Sequence, residues 1–205
     1  MEKDHITCLI MATLLEAKPF IGGFSLIKTD SKPFPLFRNK KHILIISGIG
    51  KANAAMACAY SCLKFGPVCI VNLGAAGATG DGYTLGESLH IKKVYEYDRP
   101  QFRTKYPHKH MPDILEDFSY ATLATLDRPV TDPAERHKLS KTADLIDMES
   151  ASVIQACRKF KTKCFIFKFV SDTPEHTRDN DIVENIKKYR NTFFSFFRES
   201  VLTKL

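Results

Sequence analysis

Two short stretches carry the side chains with which this chain could do chemistry. In Leu145-Ile146-Asp147-Met148-Glu149-Ser150, two carboxylates flank a methionine where an apolar run gives way to a helix-like segment. Further along, Phe165-Ile166-Phe167-Lys168-Phe169-Val170-Ser171-Asp172 is a β-rich run that ends on a serine and an aspartate. A carboxylate buried without partners at the end of an apolar strand costs folding free energy, so acids placed there imply a cleft at a sheet's edge and not a core. A third acid, Glu16, follows Thr13 by three residues. That spacing fits a threonine N-cap completed by a capping-box glutamate, and it fits a carboxylate turned toward a ligand. Asp172 likewise reads as a cleft acid or as a loop-entry residue capping local N–H groups. Glu149 reads as a ligand group or as a helix-start carboxylate favoured by the macrodipole.

The elements that must position these acids follow from the apolar pattern. His5 to Ala12 is a continuous apolar run with branched residues, the pattern of a strand covered on both faces. Thr13 then starts a helix. Residues 19–42 hold prolines and glycines near their start and short β-like pieces, as in hairpin strands. Ile43 to Ser47 is a compact strand, and Gly48-Ile49-Gly50-Lys51 is a tight turn feeding an alanine-rich helix through Phe65. Gly66-Pro67 breaks that helix, Val68 to Asn72 is the next strand, and Gly74 to Ala78 is read as a second small-residue turn. Two such turns bring backbone N–H groups to the carboxyl edge of an α/β sheet, where ligands bind, although tight turns also occur without one. The third glycine of the dinucleotide fingerprint is missing. Gly86 to Tyr97 alternates as a strand, whereas Asp98 to Pro133 is Pro-rich and charged with weak periodicity. Ala151 to Phe160 carries a helical stripe, residues 165–171 are a strand, and Asp179-Asn180 caps a last helix. Its Ile182, Ile186, Tyr189, Phe193, Phe196 and Phe197 keep a helical beat and are read as core.

The bulk numbers exclude several classes. The 205 residues suit one domain over 1–205, and 44% hydrophobic with 26% charged residues is ordinary for a soluble globular protein. No apolar run approaches the roughly 20 residues of a membrane span, and Met1 to His5 lacks a signal-peptide layout, so a cytoplasmic location is expected. The six cysteines sit in apolar or small-residue surroundings without a CxxC pair, which implies reduced packing residues. The net charge of +7 is dispersed over short patches (Arg38 to Lys41, Arg103 to Lys109, Arg158 to Lys163, Lys187 to Arg190), the pattern of solvated faces and not of a nucleic-acid surface. His108 and His110 lack a supporting carboxylate or cysteine, so exposed histidines are expected and no metal.

Taken in order, the strand and Ser-Gly-Ile-Gly-Lys turn, the helix, the strand with Asn-Leu-Gly-Ala-Ala-Gly, then Asp-Met-Glu-Ser and Val-Ser-Asp resemble the nucleoside phosphorylase/nucleosidase superfamily. The resemblance is closest to its 5'-methylthioadenosine/S-adenosylhomocysteine nucleosidase branch and covers residues 5–97 and 143–175. It implies an α/β fold, a three-layer α/β/α sandwich around a mixed, partly closed central sheet, in a homodimer. It also implies a small-molecule nucleoside substrate and no cofactor. Asp172 would be the general acid that protonates the departing purine, made a stronger candidate by its apolar surroundings. Glu16 would direct the attacking water, Glu149 would accept the ribose hydroxyls, and Met148 would pack on the sugar. Ile49, Ala75, Gly77 and Ser171 would complete the substrate site. Phosphorylases of the superfamily place arginines near their glycine turns. Here neither turn has one, and Arg38 and Arg99 lie outside them, so hydrolysis is expected over phosphorolysis. A purine nucleoside phosphorylase and a catalytically weak nucleoside-binding protein are the alternatives. Three positions depart from the family pattern: Ala75 stands where a serine is common, Lys168 where an arginine is usual, and Pro129-Val130 where an aromatic would sandwich the base.

Overall fold

A computed structural model of the chain describes residues 6–99, 106–176 and 178–205. Its first strand, β1 (Thr7–Met11), is buried at every residue, because it runs parallel between β4 (His42–Ile46) and β5 (Cys69–Ala78). A strand with a parallel neighbour on each side and helices above and below has no polar face, hence its unbroken apolar sequence. Helix α1 (Leu14–Gly23) follows at once. Its Thr13 cap accepts from Glu16 N while Thr13 N donates to Glu16 Oε2 at 3.0 Å, a complete capping box.

Pro19 lies inside α1 and removes the N–H that would bond the Leu15 carbonyl. Arg190 replaces it, donating from Nη1 to Leu15 O at 2.8 Å. The hairpin pieces expected within 19–42 are β2 (Ile27–Asp30) and β3 (Leu36–Arg38), antiparallel to each other and to β4 in turn. Helix α2 (Lys51–Phe65) starts at the Gly-Ile-Gly-Lys turn, where Gly50 has φ 100°, and ends on left-handed Gly66.

The second small-residue segment is not a turn. Gly74 to Ala78 continues β5, which pairs with β1, with β10 (Lys163–Asp172) and, over Gly77 and Ala78, with β9 (Leu145–Asp147). Along Gly74 to Ala78 the neighbouring strands are β10 and, at Gly77 and Ala78, β9, and the two glycines let side chains approach the strand closely, Glu16 at Gly74 and Asp172 with Arg136 at Gly77. The weakly patterned region from Asp98 onward holds β7 (His108–His110), β8 (Tyr120–Thr125) and helix α3 (Pro133–Ser140), none of which was expected. Part of the Arg103 to Lys109 patch lies outside the described residues. His110 is buried and meets Glu96 Oε2 at 3.4 Å, so it is not the exposed histidine expected.

Together with β6 (Ser88–Glu96) these strands form one mixed sheet. Strands β5, β10, β6, β8 and β9 pair in a closed circuit, while β1, β4, β3 and β2 extend from β5 as an open wing. Helices α2 and α4 (Ser150–Lys159) pack against each other on one face, over Cys8, Ile10, Ile45 and Ile166. Helices α1 and α5 (Asp179–Phe196) cover the other, where Phe20, Phe167, Phe169, Phe193 and Phe197 form the core. The result is the expected three-layer α/β/α arrangement with a partly closed sheet. Helix α5 starts at Asp179 without a side-chain cap bond, so the cap expected at Asp179-Asn180 does not form. All six cysteines are free and all but Cys62 are buried.

Candidate active site

Each acid is held by the element that ends beside it. The capping box fixes Glu16 on the first turn of α1, and its other oxygen, Oε1, accepts from Ala75 N at 2.8 Å. The two roles considered for Glu16, cap and pocket group, therefore coexist in one side chain. Gly74 opposite has φ 153°, and a Cβ there would lie 2.6 Å from Glu16 Oε1, so glycine is what lets the carboxylate approach the strand.

Glu149 precedes α4 and reaches across the cleft to the glycine turn, where Oε1 accepts from Gly50 N at 2.9 Å. Its neighbour Asp147, at the end of β9, accepts from Thr125 Oγ1 and Ser150 N and pairs with Lys168 Nζ at 3.0 Å. Lys168 is fully enclosed. Burial alone would pull its ammonium down, but Asp147 and then Glu149 and Glu16 outweigh that and hold it above its ordinary value. Glu149 shows the opposite balance. Burial and the charge of Asp147 push its carboxyl up to about 7, against the pull of Lys168 and the Gly50 N–H.

Asp172 ends β10 and is not the isolated carboxyl in apolar surroundings that the sequence implied. Ser171 Oγ donates to its Oδ1 at 2.6 Å, and Arg136 Nη2 meets its Oδ2. Arg136 comes from α3, is 3% exposed, and donates from Nε to Val130 O at 2.8 Å and from Nη1 to Ala78 O at 2.9 Å. A Cβ on Gly77 would fall 2.5 Å from Asp172 Oδ2 and 3.1 Å from Arg136 Nη1, so the pair meets over a bare patch of β5.

One cavity of about 200 Å³ collects all of this. Its lining includes Glu16, Ile49, Ala75, Gly77, Met148, Glu149, Ser171 and Asp172, the full set singled out from the sequence. Pro129 and Val130 also line it, as their place in the chain implied. Acidic groups thus ring a chamber whose other walls are mostly apolar, with Thr13, Thr131, Ser171 and the two arginines Arg128 and Arg136 as further polar lining, the composition of a small-molecule site. Among the described residues, no group of three or more His, Cys, Asp or Glu side chains has the arrangement to hold a metal ion.

A sequence profile of the phosphorylase superfamily matches residues 34–201, from β3 to beyond α5. The chain belongs to the phosphorylase superfamily. Among curated relatives, the aminodeoxyfutalosine nucleosidase of Campylobacter jejuni is 25% identical over 174 residues, 74% of this chain and 76% of that one. The 5'-methylthioadenosine/S-adenosylhomocysteine nucleosidase of Buchnera aphidicola is 29% identical over 174 residues, 73% of this chain and 74% of that one. Solved structures agree on the fold. The Helicobacter pylori 5'-methylthioadenosine/S-adenosylhomocysteine nucleosidase, in complex with butyl-thio-DADMe-Immucillin-A, superposes with TM-score 0.88 at 18% identity over 100% of both chains. The native futalosine hydrolase of the same organism superposes with TM-score 0.86 at 18% identity, again over 100% of both chains.

The cavity also holds groups that sequence reasoning missed. Ile182 and Ile186 line it from α5, whose apolar face had been read wholly as core. Arg136 had no sequence signal of its own. The Asp132-Pro133 pair that starts its helix was the legible cue: Asp132 accepts from Ala134 N and Glu135 N, and proline occupies the first turn.

Proposed function

We propose that this protein is a nucleosidase that hydrolyses the N-glycosidic bond of a purine nucleoside, in the manner named for its nucleosidase relatives. The observation that carries the reading is the convergence of Glu16, Glu149 and Asp172, from three distant segments, on one cavity. Breaking the C1'–N9 bond sends its electron pair to the base and leaves positive charge on the ribose, so a catalyst must supply a proton at one end and negative charge at the other. Asp172 takes up a proton as substrate binds, passes it to N7 of the leaving purine, and returns to the carboxylate that pairs with Arg136. Glu149 accepts the ribose 2'- and 3'-hydroxyl hydrogen bonds, and its negative charge favours the cationic sugar, against which Met148 packs. Glu16 takes a proton from the water whose oxygen bonds to C1'. Proton return from Glu16 to Asp172 through solvent closes the cycle.

Water is favoured over phosphate as the nucleophile. Glu16 already occupies the Ala75 N–H, and a phosphate dianion there would face its carboxylate across a short distance. The reading extends to a cytoplasmic homodimer. In support, Met56 and Leu63 on α2 and Ile49 in the glycine turn before it are 54%, 75% and 55% exposed. No helix among the described residues is long and apolar enough to cross a membrane. The test is free-base release from a panel of purine nucleosides with and without phosphate, with sedimentation to count subunits. Release that requires phosphate and yields ribose 1-phosphate would replace hydrolysis by phosphorolysis; release from none of the panel would remove the enzymatic reading.

A further inference from the structure

Arg136 is a buried cation in the cavity wall to which the proposed reaction gives no role. Its guanidinium is buried and spends three N–H groups on Val130 O, Ala78 O and Asp172. A guanidinium carries five N–H donors in a fixed plane, so two are left over, and among the described residues they have no protein partner. Buried donors are normally satisfied, so a wall residue with spare ones marks a place for an acceptor on whatever fills the chamber. The other cation lining the cavity, Arg128, is half-exposed and paired with Glu135, and buried Lys168 behind the wall is paired with Asp147. Bare Gly77 holds open the space where Arg136 and Asp172 meet.

The chemistry of the leaving base decides which acceptor this is. A purine with a 6-oxo group presents two adjacent acceptors, N7 and O6, on one edge, the pattern an arginine fork matches. A 6-amino purine presents N7 beside an N–H₂ donor, which would point at a donor. In bond cleavage the electron pair that arrives on a 6-oxopurine spreads onto O6, where a fixed positive charge stabilises it. With Asp172 protonating N7, Arg136 is placed to serve O6.

We propose that Arg136 makes the base end of this cavity selective for nucleosides whose leaving purine carries a 6-oxo group. The proposal rests on the nucleosidase reading for its place in the reaction, yet its recognition step is measurable without turnover.

The experiment compares inosine with adenosine, which differ at C6 and in the proton on the adjacent N1, as substrates of wild type, R136Q and R136K. Alongside it, calorimetry measures hypoxanthine and adenine binding to the same proteins. Wild type is expected to favour inosine by tenfold or more in kcat/KM and hypoxanthine in binding. R136Q is expected to lower kcat/KM for inosine by about a hundredfold and for adenosine by less than tenfold, with the inosine loss mainly in kcat, since losing one such donor costs on the order of 10²-fold. R136K keeps the charge and guards against misfolding; it should recover part of the inosine rate and not the preference. A structural role would lower both substrates alike. Equal or adenosine-favouring rates in wild type, or equal losses in R136Q, overturn the proposal while leaving the hydrolase reading intact. No base release together with an Arg136-dependent preference for hypoxanthine overturns the hydrolase reading and upholds the selectivity. No release and no preference overturns both.

Discussion

Glu149 offers a test in which the size of the effect follows from the structure. Its carboxyl is pushed up to about 7 from an ordinary 4.5 by burial and by Asp147 beside it. Between those values the unfolded chain has released a proton that the folded chain still holds, so the native state binds more protons and stability falls as the pH rises. Above about 7 both states are ionised and this slope vanishes; below about 4.5 both are protonated and it vanishes again. At roughly 1.4 kcal/mol per pH unit of difference, the whole swing is about 3 kcal/mol. Glu149→Gln cannot titrate, yet it keeps an oxygen for the Gly50 N–H, so the variant should lack this part of the slope. For a chain of this size 3 kcal/mol corresponds to about 6–12 °C in Tm. Thermal melts of wild type and variant at matched ionic strength, from about pH 4.5 to about pH 8, give the difference curve directly. Wild type should lose stability relative to the variant across that window and level off above it. Parallel curves would show that the carboxylate is ionised throughout and that the charge balance drawn around it is wrong.

The same ionisation should appear in turnover: kcat/KM should rise with pH through about 7, since only the charged carboxylate accepts both ribose hydroxyls, and a pH-rate profile checks it. Asp172→Asn should reduce base release by at least about a thousandfold and also cost on the order of 3 kcal/mol, because Arg136 loses its buried counter-charge; chemical denaturation separates the two effects. Lys168→Met should destabilise the fold by about 3–5 kcal/mol by stranding Asp147, and an unchanged denaturation midpoint would refute the enclosed pair as drawn. Gly74→Ala places a carbon 2.6 Å from Glu16 Oε1 at a backbone angle that disfavours side chains, so kcat should fall while KM for the nucleoside changes little.

The parts of the site legible in the sequence were those set by local rules. The Thr13–Glu16 spacing, the Gly-Ile-Gly-Lys turn and the apolar runs ending at Asp147 and Asp172 each depend on neighbours in the chain, and each stands where the pattern placed it. What was not legible depends on distant crowding. Gly74 to Ala78 has the composition of a turn, and only its pairing with β10 and β9 makes it a strand. Helix α3 is short and hydrophilic with Arg136 and Leu139 its only buried residues, so no apolar stripe announces it. Asp172 was read as an acid among apolar residues because its partner lies 36 positions earlier in a segment without periodicity. The phenylalanines of α5 did betray the core, but nothing in their spacing tells that the first turns of the same helix face a chamber.

The closed circuit of β5, β10, β6, β8 and β9 constrains how this chamber admits and releases its contents. Asp172 and the carboxyl end of β9 belong to that hoop, and a hoop cannot spread at one seam without breaking ladders at another. Breathing is therefore left to the components outside it, α1 with Glu16 and α5 with Ile182 and Ile186, which Arg190 ties together at the carbonyl that Pro19 frees.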